Sequence, residues 1–431
     1  MNARIAVITG FHQSPSFLIP LFDCLNKQSY THFDVFIYNY KYDELKDLSK
    51  NRYRFTYKVI KLERNMGFSG GNNAAIKFAK KQFDYDFYAL INDDTKPAED
   101  WLIQLVSTAL GDSAIGAVAS KILYYEPYIV LSGKTKTSNE NDKRHLGVRW
   151  YSNSRFSASF FPKVFYLKGF NEIENDELNN FRWTKSDFRV ALPISSSKQD
   201  ESLRLFLRKN VKIENQELEL SIGKKFKQII TLSDNQFFYP VTIPCSVIEE
   251  NLINIVQNAG SDYDKNYNGF DIGSGELDTG QYNDIKDVNM FCGCSVLLSK
   301  EALHKTGLFA DYFFSYYEDS DLSIRLKKGG YKIIYQPLSV IRHYHAASGK
   351  EWSPFFTYHV FRNKIIFCAK NFGFKAFLFA LKERIDETIL FLKWARRQKF
   401  RDKELNQRIK LNFRILFDAV KGIVRYKPSK L

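Results

Sequence analysis

Four short stretches of this 431-residue chain carry side chains whose types and spacing could do chemistry. The first is Asn92-Asp93-Asp94, which ends the apolar run Tyr88-Ala89-Leu90-Ile91. Carboxylates at a strand end suit a hard divalent cation, because Mg²⁺ and Mn²⁺ take oxygen ligands and keep positions open for phosphate. The same residues would equally form an Asx turn or a cap before the helix-like PAEDWLIQLV. The second is LERNMGFSGGNNAAI, Leu62 to Ile76, where glycines permit close backbone approach and the following helix offers N–H groups to an anion. Its spacing fits neither a P-loop nor a dinucleotide fingerprint. The third is YYEDSDLSIR, with Glu318, Asp319 and Asp321 inside four residues. Carboxylates so close raise one another's pKa, one way to prepare a general base; the first turn of a solvated helix favours the same residues. The fourth is PLSVIRHYHAAS, where His343 and His345 would complete a metal site with distant carboxylates or stand alone on the surface.

The elements that must position these groups fall into three textures. RIAVITG, FDVFIYNY, YKVIKLE, DFYALIN and GAVASKILYY read as strands separated by helical patterns, which predicts βαβ units and a mostly parallel or mixed sheet with helices on both faces. Ligands of such sheets collect at the carboxyl ends of strands, where Asn39, Asn65 and Asn92 to Asp94 fall. From residue 132 to 251 the pattern changes to period-two alternation broken by polar segments such as NEIENDELNN, which predicts an inserted β-sandwich-like domain. The α/β texture returns over 252–372, with VNMFCGCSVLLSKEALHKTG as strand then helix and GYKIIYQP as a strand ended by proline. Residues 373–431 read as basic amphipathic helices, with Phe374, Leu378, Leu381, Ile385, Ile389 and Leu392 on one stripe.

Composition narrows the partners. The net charge is +15, and from Lys393 to Leu431 thirteen Lys and Arg stand against three acids. An anionic partner is expected: nucleotide phosphates or an anionic membrane surface. No nucleic-acid recognition motif supports nucleic acid as that partner. Five cysteines are few and odd in number, which points to a reducing compartment rather than a disulfide scaffold. Cys292-Gly293-Cys294 reads as small residues packed under a site rather than a metal pair. MNARIAVITG opens on a strand pattern with no leader, and no apolar run approaches the ~18 residues of a membrane span, so the chain is expected in the cytoplasm.

Taken in order, Asn-Asp-Asp, then Gly-Cys-Ser-Val-Leu-Leu, then Tyr-Tyr-Glu-Asp-Ser-Asp-Leu, then His with Ser five residues on, this chain resembles family 2 glycosyltransferases. It looks most like the bacterial branch of rhamnosyl- and galactofuranosyltransferases of cell-surface polysaccharides, over about 1–131 and 252–372. The resemblance implies a GT-A fold and an inverting enzyme that moves a sugar from a dTDP- or UDP-sugar to a glycan or a polyprenyl-diphosphate-linked acceptor. It implies Mg²⁺ or Mn²⁺ held by Asp94 and His343. Asn39, Asn65, Gly67, Gly71, Asn73, Asn92 and Asp93 would line the donor. Asp319 would be the catalytic base with Glu318 beside it, and Gly293, Asp321 and Arg325 would lie on the acceptor side. Arg362-Asn363 is similar to a dipeptide of this branch whose role the sequence does not supply. Two departures stand out. Tyr38 occupies the place of the family's base-reading Asp, where it could stack on a base, and the 132–251 insert interrupts the pattern. A non-catalytic glycan-binding protein on a degenerate transferase fold is the alternative. The basic C-terminus would bring the protein to the inner face of the cell membrane, or else pair two copies as a homodimer.

Overall fold

The computed structural model describes residues 2–11, 15–40, 53–138, 145–152, 163–194, 199–344, 353–397, 403–426 and 428–431. Contacts divide the chain into two units. One comprises Met1–Tyr125, Val256–Ser274 and Thr279–Leu431; the other comprises Glu126–Ile255 and Gly275–Asp278.

The first unit starts with β1 (Ile5–Phe11), α1 (Pro15–Leu25), β2 (Phe33–Asn39), β3 (Thr56–Lys61), α2 (Gly67–Gln82), β4 (Phe87–Ile91), β5 (Thr95–Pro97), α3 (Trp101–Leu110) and β6 (Ile115–Tyr124). The second unit holds β7 (Tyr128–Thr135), β8 (Arg149–Tyr151), β9 (Phe165–Asn175), β10 (Asn180–Pro193), β11 (Glu201–Arg208), β12 (Glu217–Ile222), β13 (Phe226–Thr231), β14 (Phe238–Ile243) and α4 (Cys245–Asn251). The chain then completes the first unit with β15 (Val256–Asn258), β16 (Ser261–Tyr263), β17 (Gly269–Asp271), β18 (Lys286–Asp287), β19 (Ser295–Ser299), α5 (Lys300–Thr306), α6 (Glu318–Lys328), β20 (Lys332–His343), α7 (Pro354–Asn371), α8 (Phe374–Arg397) and α9 (Lys403–Arg425).

The main sheet runs β18-β20-β6-β19-β4-β1-β2-β3, with β15 on β6 and β5 on β20. It is mixed: β3, β2, β1 and β4 are parallel, whereas β19 enters antiparallel between β4 and β6. Alternate residues of its strands feed two cores. Val7, Val35 and Ile37 pack with α1 and α3 on one face; Ile8, Phe36 and Tyr38 pack with α2, α5 and α6 on the other. The predicted helices on both faces follow from strands that are apolar on both sides.

One strand end differs from its sequence reading. Pro337 does not stop β20: the register against β6 shifts between Gln336 and Val340, and pairing resumes to His343. A bulge at the shift accommodates a residue without an N–H. The strand therefore carries His343 to the register position opposite Thr95 of β5.

In the second unit every strand pairing is antiparallel, in the order β13-β12-β7-β10-β8-β11-β14 with β9 on β10. Leu203, Leu205 and Leu207, Leu218 and Leu220, and Tyr239, Val241 and Ile243 share one core. The sheet thus encloses its own apolar face, sandwich-like in packing but continuous in hydrogen bonding. NEIENDELNN is less of a loop than expected, since β9 runs to Asn175 and β10 resumes at Asn180.

The stripe read on α8 faces outward: Phe374, Leu378, Ile385 and Ile389 are exposed, while Ala376, Ala380, Arg384, Thr388 and Ala395 are buried. Small side chains allow close helix packing, and Arg384 is accommodated by stacking 4.4 Å over Phe361 and pairing with Glu387 at 2.8 Å. Among the described residues no helix is long and apolar enough to cross a membrane.

Candidate active site

Asp94 and His343 meet through strand pairing. β5 lies antiparallel on the end of β20, and Tyr344 N donates to Asp94 O at 3.1 Å. This register brings His343 Nε2 to 3.3 Å from Asp94 Oδ1, with both side chains buried. His343 Nδ1 stands 3.0 Å from Gln257 Oε1 on β15. An amide oxygen can only accept, so Nδ1 carries a proton toward Gln257 and Nε2 is the ring nitrogen turned to Asp94. Asp94 Oδ1 makes no hydrogen bond although it is buried. The two atoms stand close enough for one cation to be held by both.

Mg²⁺ or Mn²⁺ fits that pair. Among the described residues no group of three or more His, Cys, Asp or Glu gathers as a metal cluster. Two protein ligands would leave the remaining positions to water and diphosphate oxygens, the usual habit of Mg²⁺. Gln257 then does the work of an outer partner that fixes the imidazole tautomer.

The second station is built at the start of α6. Phe314, Tyr316 and Tyr317 all adopt left-handed backbone, with φ of 66°, 68° and 70°. Three non-glycine residues so placed are strained, and strain persists only where the surroundings over-determine it. Here Asn363 Nδ2 donates to the carbonyls of Phe313, Ser315 and Tyr316 at 2.7–3.0 Å. Arg362 Nη2 donates to Tyr312 O and Phe313 O at 2.8 and 3.1 Å. The Arg-Asn pair thus holds the turn that presents Glu318 and Asp319. From the other side Ser69 N donates to Phe314 O at 3.2 Å, and Gly67, at φ 67°, lies so close that a Cβ would overlap that oxygen.

Asp319 is fixed at both oxygens: Gly293 N donates to Oδ2 at 3.0 Å and Ser320 N to Oδ1 at 2.7 Å. Burial raises its pKa, and these N–H donors pull it back. Glu318 is buried, its Oε2 has no hydrogen-bond partner, and burial followed by the Asp319 charge pushes its carboxyl well above the usual range. Of the two adjacent carboxyls Glu318 is the more strongly raised, so Asp319 gives up its proton first.

The strap Phe291–Ser295 joins the stations. Gly293 N binds Asp319, and one residue later Cys294 O accepts from Asn92 N at 3.0 Å, extending the β19–β4 pairing. Phe68 packs so close to Gly293 that a Cβ there would crowd its ring. Cys292 and Cys294 are thiols pushed well up by burial, with the charges of Asp271, Asp319 and Asp94 acting on them. Asp271 is an exposed carboxylate that the sequence reading missed, because GFDIGSG has no distinguishing pattern. Its Oδ1 accepts from Asn258 Nδ2 at 2.6 Å and Ser261 Oγ at 2.9 Å.

Other expected residues sit elsewhere or do other visible work. Asn65 is exposed and its Oδ1 caps Gly67 N at 2.9 Å. Asn73 clamps α2 to the Phe309–Asp311 segment, exchanging bonds with Phe309 N and O. Asn39 and Asp93 are buried at strand ends. Asp321 binds Arg325, Asn371 and Tyr426, and Arg325 also donates to three carbonyls over Thr306–Leu308, so their contacts are internal. Tyr38 is buried with its ring wedged against Gly10 and Gly71, where a Cβ on either glycine would overlap it. Asn72 Nδ2 donates to its hydroxyl at 3.2 Å, so the ring serves the core and is not a face for a base. His345 and Ser348 lie outside the described residues.

No curated protein matches. Among solved structures the chain is similar to "GalNAc-T7 with UDP, GalNAc and Mn2+", at 11% identity and TM-score 0.46, over 98% of this chain and 57% of that one. It is also similar to the mannosyltransferase PcManGT from Pyrobaculum calidifontis in complex with GDP-Man and Mn²⁺, at 10% identity and TM-score 0.41, over 98% and 88%. S. aureus TarS with UDP-GlcNAc aligns over 28% of this chain and 34% of its own at 20% identity and TM-score 0.25. The chain spans little more than half the length of the GalNAc-T7 structure. These likenesses are too distant to assign any residue. The glycosyl transferase family 2 model matches residues 6–166, a stretch that takes in the strands leading to Asp93 and Asp94. That match covers little more than a third of the chain, the part that supplies β1 to β6 of the mixed sheet, and over this stretch the chain is similar to family 2 glycosyltransferases.

Proposed function

We propose that the protein is an inverting, divalent-metal-dependent transferase. It moves a rhamnose- or galactofuranose-like sugar from a dTDP- or UDP-sugar to a hydroxyl of a growing polysaccharide or lipid-linked oligosaccharide. One observation carries the reading: the strap that binds Asp319 through Gly293 N binds the Asn92–Asp94 strand end one residue later. A base and a candidate metal-binding carboxylate are thereby held side by side.

Asp319 takes the proton from the acceptor hydroxyl as that oxygen attacks the anomeric carbon. Attack comes from the face opposite the departing diphosphate, so the configuration inverts and no covalent enzyme intermediate forms. Gly293 and Ser320 N–H groups keep the carboxylate oriented throughout. Asp94 and His343 would hold Mg²⁺ or Mn²⁺, which when bound neutralises charge on the diphosphate. The acceptor would be met at the inner face of the cell membrane.

Nucleoside diphosphate release from a panel of dTDP- and UDP-sugars, with and without Mg²⁺ or Mn²⁺, tests the reading. Metal-dependent release with acceptor present is expected. Release from none of the donors, or release indifferent to EDTA, would overturn it.

A further inference from the structure

The outer surface of α9 separates into two rows. Phe413, Phe417, Val420 and Val424 recur at i, i+4, i+7 and i+11 and are 55%, 69%, 51% and 85% exposed. Beside them run Lys410, Arg414, Lys421 and Arg425, all exposed. The opposite face, Ile415, Ala419 and Gly422, is buried, and a Cβ on Gly422 would crowd Ile366 and Tyr312. Of the two acids on this helix, Glu404 pairs with Arg408 at 2.8 Å. The other, Asp418, accepts from Tyr358 at 2.5 Å and Arg414 at 3.3 Å. With Arg414 paired to Asp418, the outer face presents large apolar side chains and the positive charge of Lys410, Lys421 and Arg425.

We propose that α9 lies in the plane of an anionic lipid surface, with the Phe413–Val424 row inserted and the cation row against headgroups. An apolar row flanked by Lys and Arg on a helix anchored from behind is what an interfacial helix requires. A second copy of the chain is a poorer occupant, because a two-fold pairing of this face would set one cation row against the other. α9 is also tied to the active site: Tyr426 donates to Asp321 Oδ1 at 2.6 Å, two residues from Asp319. Docking through α9 fixes α6, and so the base, with respect to the lipid plane. That consequence, not the docking itself, rests on the lipid-linked-acceptor reading.

The full chain is floated with phosphatidylcholine vesicles with and without phosphatidylglycerol. Flotation is expected with the anionic vesicles and falls on the order of tenfold in Phe417→Ser/Val424→Ser and in Lys421→Glu/Arg425→Glu. All four positions are exposed, so thermal unfolding and nucleoside diphosphate release in solution stay at wild-type levels. Wild type remaining with neutral and anionic vesicles alike at the bottom of the gradient overturns the proposal. So does undiminished flotation of both variants, or a wild-type dimer that Phe417→Ser/Val424→Ser converts to monomer. Loss of donor turnover in wild type would strike the transferase reading and leave the flotation result standing.

Discussion

The two stations of the site are built by opposite means. Asp94 and His343 meet because two strands far apart in the chain share a register, and their polar atoms are left facing each other. Glu318 and Asp319 are neighbours in the chain, and the fold's contribution is burial, a strained turn and donors that hold one carboxylate in place. The first arrangement sets a carboxylate oxygen and an imidazole nitrogen within reach of one cation. The second separates two adjacent carboxyls by burial and hydrogen bonding. The difference shows that register alone can pair distant groups, whereas neighbours in the chain need their surroundings to tell them apart.

The largest expected effect breaks the second station. Asp319→Asn keeps the bond from Gly293 N but cannot take a proton, so kcat should fall about 10²–10⁴-fold with donor affinity unchanged. Calorimetric donor binding alongside turnover checks this; retained turnover would remove Asp319 as base. Next, Gln257→Leu releases His343 Nδ1 and should raise the half-saturating Mg²⁺ or Mn²⁺ concentration about 10–100-fold, with the acid limb of the pH profile in place. An unchanged metal titration would show that the first station does not depend on its tautomer.

Asn363→Ala tests the turn. It leaves the part-buried carbonyls of Ser315 and Tyr316 short of a donor, Phe313 O keeping its bond from Arg362, and should cost about 1–3 kcal/mol in denaturant unfolding. The smallest effect concerns Glu318. Its folded-state pKa lies above the unfolded one, so between the two values the unfolded chain binds fewer protons and stability falls as pH rises. Glu318→Gln removes that titration. Its melting temperature should exceed wild type by a few degrees, about 2–4 °C, at neutral pH, and the gap should close as pH drops to the ordinary Glu range near ~4.3. A gap independent of pH would contradict the buried, raised carboxyl.

Most of the site's residue types were legible in the chain, and their partners were not. Asp94, Asp319 and His343 were singled out by the order of motifs that resembles family 2 glycosyltransferases, since each stretch alone also fitted a turn, a helix end or a surface histidine. Gln257, Asn258 and Asp271 were not, because a Gln, an Asn or an Asp in a short strand or hairpin has no local signature. Arg362-Asn363 was noticed without a role, since its visible work is to hold four carbonyls, Tyr312, Phe313, Ser315 and Tyr316, far earlier in the chain. Pro337 misled: a local rule ended the strand there, whereas a bulge carried it on to His343. The α8 stripe was legible as an apolar face but not as an outward one, because periodicity is silent on whether the protein or its surroundings cover that face.

By itself the sequence determined the alternation of strands and helices, the interrupting β unit, the basic C-terminus and the order of carboxylates that a sugar transferase requires. Those are properties of spacing and composition, and both are local. Tertiary structure alone decided that Tyr38 fills the core, that Gln257 orients His343, and that Asp319 and the Asn92–Asp94 strand end share one strap. These depend on strand register and on which side chains exclude water together, and neither quantity exists until distant segments have met.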